Sequence, residues 1–142
     1  MCAFCSIAAH EIPAHVVLED DDTIAFLDNR PLFAGHCLLI PRAHFETLGD
    51  LPRDLLGDLW RNAQLLSSCV ELAMEAHGTF VAVNNRVSQS VPHFHIHVVP
   101  RRRKDGLRGF FWPRHPYRDD AQMTGTAELI RRALDRSTSR ES

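Results

Sequence analysis

Hydrophobic and polar positions alternate most strictly between Val91 and Pro100, where Phe94, Ile96 and Val98 take one side and His93, His95 and His97 the other. A period of two residues predicts a β-strand with one buried face. Shorter β-rich runs at His15–Leu18, Thr23–Asp28, His36–Ile40 and Thr79–Val83 predict four more strands. The acidic turn Glu19–Asp22 joins the first two, and Pro41, which has no N–H to give a ladder, ends the third. After it, Leu55, Leu59, Ala63, Leu66, Val70 and Ala73 recur at helical spacing, so a long helix is expected from Asp50 to His77. Asp50 would cap it, Pro52 suits its first turn and Gly78 its stop. Trp60 and Met74 lie near that stripe and read as core. A short helical turn is expected at Ile7–Ala9, a second helix from about Thr124 to Arg136, and a frayed polar tail over residues 137–142. Strands set apart from one amphipathic helix predict an α+β domain with a mainly antiparallel sheet, occupying residues 1–136 as a single domain.

A chain of 142 residues can bury one real core. Its formal net charge of −2 supplies no basic field that would draw it to nucleic acid. No apolar stretch approaches a membrane span, and the start, Met-Cys-Ala-Phe-Cys-Ser, lacks the pattern of a secretory signal. The expected location is cytoplasmic, where Cys2, Cys5, Cys37 and Cys69 would be thiols or metal ligands rather than disulfides. Cys37 and Cys69 read as small buried hydrophobes.

Three histidines in a row on one strand face call for a chemical reason. On a straight strand the first and third Cα atoms would lie about 13 Å apart, so two of the three could share one ion but all three would strain it. The row therefore divides its labour among the roles open to imidazole near neutrality: metal ligand, nucleophile, or hydrogen-bond donor to an anion. Cys2 and Cys5 have ligand-like spacing but need two further donors, which His44 and one triad histidine could supply. The rival reading, a redox Cys-x-x-Cys, normally opens a helix after a strand, and no strand precedes residue 2.

The segment His93-Phe94-His95-Ile96-His97-Val98-Val99 resembles the signature of the histidine-triad (HIT) superfamily of nucleotidyl hydrolases and transferases. Phe26-Leu27-Asp28, Gly35-His36, Ile40-Pro41-Arg42-Ala43-His44 and Gln89-Ser90-Val91 follow the family's order, so the resemblance runs from Cys2 to about Arg102. It implies a structural zinc on Cys2, Cys5, His44 and His93, as in the branch with an N-terminal Cys-x-x-Cys. It implies that His95 attacks an α-phosphorus to give a covalent nucleotidyl-histidine, with His97 and His36 completing the catalytic set. Asn84, Gln89, Ser90 and His97 match the family's phosphate contacts and Asp28 its ribose-binding carboxylate, with Phe26 and Ile7 as walls for the base. The substrate would be a small nucleotide, most simply an adenosine phosphoanhydride or phosphoramidate. The assembly would be a homodimer joined across the long helix and edge strand.

This chain departs from the family pattern at Asn84–Gln89, a short loop without glycine that would narrow or reshape the phosphate pocket, with Arg86 as a substitute charge. Either Asn84 or Asn85 could be the phosphate contact. The basic and aromatic stretch Arg101–Arg114 could close over a leaving group through Phe111 or Trp112, or pack a dimer. Two rival functions share these residues: a nucleotide-binding module with little turnover, and a metal-dependent hydrolase whose catalytic ion sits on two triad histidines.

Overall fold

The computed structural model describes residues 2–108 and 114–140. The described chain divides at Asp105 into two compact units. The first holds α1 (Ala3–Ala8), β1 (Val16–Glu19), β2 (Thr23–Leu27), β3 (Cys37–Pro41), a 3-10 turn (Leu48–Asp50), α2 (Arg53–Ala73), β4 (Gly78–Ala82) and β5 (Ile96–Arg101). Its five strands form one antiparallel sheet in the order β1-β2-β3-β5-β4. The second unit holds α3 (Asp120–Arg140).

Two of the three inner strands explain the layering. In β2 and β3 nearly every residue is buried, as expected of strands covered on both faces. Ala25, Cys37 and Leu39 face α2, where Leu59, Ala63, Leu66 and Val70 join Phe94, Ile96 and Val98 in the larger core. Ile24, Phe26, Leu38 and Ile40 take the opposite face and pack under Phe4 and Ala8 of α1. A six-residue helix thus lies over one side of the sheet and a long helix over the other. Arg42, just beyond β3, fastens α1 in place: its guanidinium donates to the carbonyls of Ala8 and Asp20 at 2.8 Å each, and it also pairs with Glu19.

Several expected boundaries move. The fifth strand begins at Ile96 rather than at Val91, because His93 N–H turns back to the Val91 carbonyl (2.8 Å) and Phe94 N–H reaches Phe45 (2.6 Å). Only His97 of the triad lies inside the ladder, opposite Leu38 and Ala82. His93, Phe94, His95 and Ile96 are all buried, yet their facing still alternates: Phe94, Ile96 and Val98 enter the larger core while His95 and His97 line the opposite side. α2 starts at Arg53, because Asp50 spends its carboxylate on Thr47, accepting from its N–H at 3.0 Å and its hydroxyl at 2.7 Å. It ends at Ala73, ahead of Gly78: Glu75 takes the left-handed turn (φ 51°), and Arg102 donates to the carbonyls of Met74 and Glu75. Trp60, expected in the core, is 39 % exposed, and Ala73 and Cys69 also face outward. α3 begins four residues earlier than expected, where Asp119 Oδ1 accepts the Gln122 N–H at 2.8 Å, and it continues to Arg140.

Candidate active site

Two of the expected clusters assemble around α1 and the bend before β5. Cys2, at the helix N-cap, and Cys5, one turn on, point the same way because residues three apart share a helix side. Their sulfurs meet His44 from the loop after β3 and His93 from the bend, and the four ligand atoms all lie within 4.8 Å of one another. Cys2 Sγ stands 3.4 Å from His93 Nδ1, and Cys5 Sγ stands 3.4 Å from His44 Nδ1 and 3.5 Å from His93 Nδ1. Ligands of a tetrahedral ion bonded at about 2.3 Å to sulfur and 2.0 Å to nitrogen would be roughly 3.5 Å apart. The donor set fits such an ion. His93 is prepared for it: its Nε2–H donates to the Pro41 carbonyl at 2.8 Å, which leaves Nδ1 bare toward the thiols. Burial lowers its pKa, overriding the opposing pull of that carbonyl, so the ring stays neutral.

The other two triad histidines face an open cavity of about 980 Å³. His95, 2 % exposed, has Nδ1 at 2.8 Å from the carbonyl of His93. A carbonyl only accepts, so the hydrogen sits on Nδ1 and Nε2 keeps its lone pair. The Phe4 ring stands edge-on against it at 5.1 Å between centroids. His97 follows at 4.9 Å, and its Nδ1 lies 3.0 Å from Nε2 of His36, a buried residue just before β3. Asp28 Oδ2 stands 3.6 Å from that same Nε2, while its Oδ1 accepts the Arg30 N–H at 2.9 Å. His97 is pushed down to about 4, first by burial and then by the neighbouring charges of His95 and His36, against the pull of Asp28. Burial also lowers His36, with Asp28 opposing. Both rings are neutral at pH 7.

The cavity has both apolar and polar lining: Ile7, Phe26 and Leu38 belong to the first, and Asp28, Ser90, His95 and His97 to the second. Asn84 and Gln89 are not among the lining residues. Asn84 Nδ2 donates to Ser88 O at 3.3 Å, and Gln89 spans its loop, donating to Glu46 O at 2.6 Å and accepting the Arg86 N–H at 2.8 Å. Asn85 is likewise engaged, accepting the Leu48 N–H at 2.9 Å. The glycine-free loop still adopts glycine-like backbone, with φ of 66° at Arg86 and 61° at Ser88. Phe111 and Trp112 of the basic-aromatic stretch lie outside the described residues. Sequence reasoning missed Ile12, Pro13 and Arg30 on the cavity wall.

The HIT domain family model matches residues 9–104, and the chain belongs to that family. It is 31 % identical over 140 residues to an adenylylsulfatase of Arabidopsis thaliana, covering 94 % of this chain and 69 % of that one. To an adenosine 5'-monophosphoramidase of Candida albicans it is 34 % identical over 118 residues, covering 79 % and 78 % of the two chains. Among solved structures, a Streptococcus mutans protein superposes with a TM-score of 0.85 at 31 % identity, over 94 % of this chain and 85 % of that one. A zinc-bound histidine-triad family protein of Mycobacterium smegmatis does so with a TM-score of 0.71 at 33 % identity, over 97 % and 96 %. The antiparallel sheet and helices are those of the HIT fold. Among the described residues no helix is long and apolar enough to cross a membrane.

Proposed function

We propose that this protein is a nucleotidyl hydrolase or transferase acting at the α-phosphate of an adenosine phosphoanhydride or phosphoramidate. One observation carries the reading: a backbone carbonyl holds Nδ1 of His95, so its basic nitrogen is Nε2, on a ring that lines a cavity with Asp28, Ser90 and His97. In the first step the Nε2–phosphorus bond forms while the bond from phosphorus to the leaving group breaks. Water, or another acceptor, then takes the nucleotidyl group and frees His95; with water the product is a nucleoside monophosphate. Ser90 and His97 donate to the phosphate oxygens, Asp28 accepts the ribose hydroxyls, and Phe26 and Ile7 flank the base. Gln89 and Asn84 serve the phosphate through the loop they brace, or directly if that loop rearranges around substrate. The names of the Arabidopsis and Candida relatives support a hydrolase of this kind.

Zinc is the ion proposed for Cys2, Cys5, His44 and His93, whose two sulfurs and two nitrogens form a closed structural set. It would supply cross-linking between α1 and the bend, with no part in the bond changes. A homodimer is supported by the position of β4 at the sheet edge and by the outward-facing Leu65 and Leu72 of α2. We keep residues 1–136 as one functional domain in a cytoplasmic protein.

The test is to quench the reaction with adenosine 5'-phosphosulfate or an adenosine phosphoramidate and search for an acid-labile adenylyl adduct by mass spectrometry. The adduct is expected on the peptide containing His95. Turnover without any adduct, or undiminished turnover in His95→Ala, overturns the proposal.

A further inference from the structure

The loop between β2 and β3 turns two backbone N–H groups inward, one from Arg30 to Asp28 and one from Leu32 to Nδ1 of His36 at 3.1 Å. The second has consequences for hydrogens two residues away in space. An N–H can only donate, so Nδ1 of His36 must be bare and its one hydrogen must sit on Nε2. That hydrogen points at Nδ1 of His97, 3.0 Å away, which must then be bare as well. The hydrogen of His97 is left on Nε2, the nitrogen of a cavity-lining ring that its neighbour does not occupy. Asp28 reinforces the order, since its carboxylate oxygen at 3.6 Å draws positive hydrogen toward Nε2 of His36 but is too far to take the bond for itself.

We infer that the Leu32 N–H and His36 are positioning groups that fix His97 as a neutral N–H donor to the reacting phosphate, so that His97 binds the developing charge without transferring a proton. This deepens the proposed function and rests on it. A neutral imidazole acting as an electrophile is an established solution where a site must polarise oxygen without titrating. The opposite tautomer would turn a lone pair toward anionic oxygens. The depressed titration of both rings agrees, because neither carries a second hydrogen at neutral pH. The same order also argues against a catalytic ion on the Asp28, His36 and His97 cluster: Nε2 of His36 is committed to a hydrogen and has no lone pair to offer.

Long-range proton–nitrogen spectra of the full chain labelled with ¹⁵N-histidine read these tautomers directly, with no need for turnover. Expected at pH 7 are hydrogens on Nε2 of both His36 and His97 with Nδ1 bare in each. His36→Gln keeps an N–H at the same reach, so His97 should retain its Nε2 hydrogen and kcat should stay within about tenfold. His36→Glu presents only an acceptor, so the His97 hydrogen should move to Nδ1. There kcat should fall on the order of 10²–10³-fold, with a much smaller change in KM. A His97 hydrogen on Nδ1, or on both nitrogens, in the native protein overturns the inference, as does equal damage from Gln and Glu. If the spectra agree while no nucleotide is turned over, the tautomer assignment stands and the proposed function is what fails.

Discussion

His93 and His95 are the same residue two positions apart, and they present opposite ring nitrogens. In His93 the Pro41 carbonyl takes Nε2 and frees Nδ1 for the cysteines; in His95 the carbonyl of His93 takes Nδ1 and frees Nε2 for the cavity. Residue type supplies a titratable base in both cases. The backbone carbonyl beside it decides which end is basic and therefore what it serves. A histidine-rich motif is thus incompletely specified until its second partners are known.

The largest effect expected from breaking this division is at His95. His95→Ala should lower kcat at least about 10³-fold while Tm moves little, since the lost group is the proposed nucleophile; steady-state kinetics with a melting curve checks both. Next is the other end of the pair. Cys5→Ser, or exhaustive chelation, should lower Tm by more than about 10 °C, and activity should fall only as the fold does. Immediate loss of activity at unchanged Tm would instead put the ion in the chemistry. Parallel time courses of fluorescence and turnover separate these outcomes.

A third effect follows from titration. His97 binds a proton at about 4 when folded and near its ordinary value when unfolded, so between pH 6.5 and 4 the unfolded chain holds more protons. Stability must therefore rise with pH across that window and fall on acidification, by up to about 3 kcal/mol from this residue; the groups facing it are His36, His95 and Asp28. Urea unfolding at several pH values should show a shallower slope in His97→Asn, which isolates this residue from loss of metal in acid. Gln89→Ala removes two hydrogen bonds from the loop and should cost about 1–2 kcal/mol, with a raised KM. Smallest is Arg86→Gly, which relieves a left-handed residue and should stabilise by about 1 kcal/mol at most.

Those last two concern a region where the sequence was a poor guide. The missing glycines suggested a narrowed or reshaped phosphate pocket and said nothing of the backbone, where Arg86 and Ser88 adopt positive φ, held by the Gln89 amide and the Ser88 carbonyl. The sheet and α2 were readable because alternation and helical stripes record burial directly. The start of β5 was not, since a ladder begins where neighbouring strands can pair, and the bend at His93 keeps the alternation without the pairing. Trp60 and Cys69 show the limit of a stripe: apolar character does not say which of two helix sides is covered. The cluster of Cys2, Cys5, His44 and His93 could be named from spacing and resemblance, since their identity is their chemistry. The Leu32 N–H could not, because every residue except proline has one, and only the loop's path gives it a target.

The six residues of α1, with the N-cap before them, carry Cys5 and Cys2 on one side and put Phe4 and Ile7 on the cavity wall. An ion gripped by the thiols and a nucleoside against the wall would therefore both bear on the same short helix. Reciprocity then requires that if the ion strengthens nucleotide affinity by some factor, the nucleotide strengthens ion affinity by that factor too, making each a gauge of the other's occupancy.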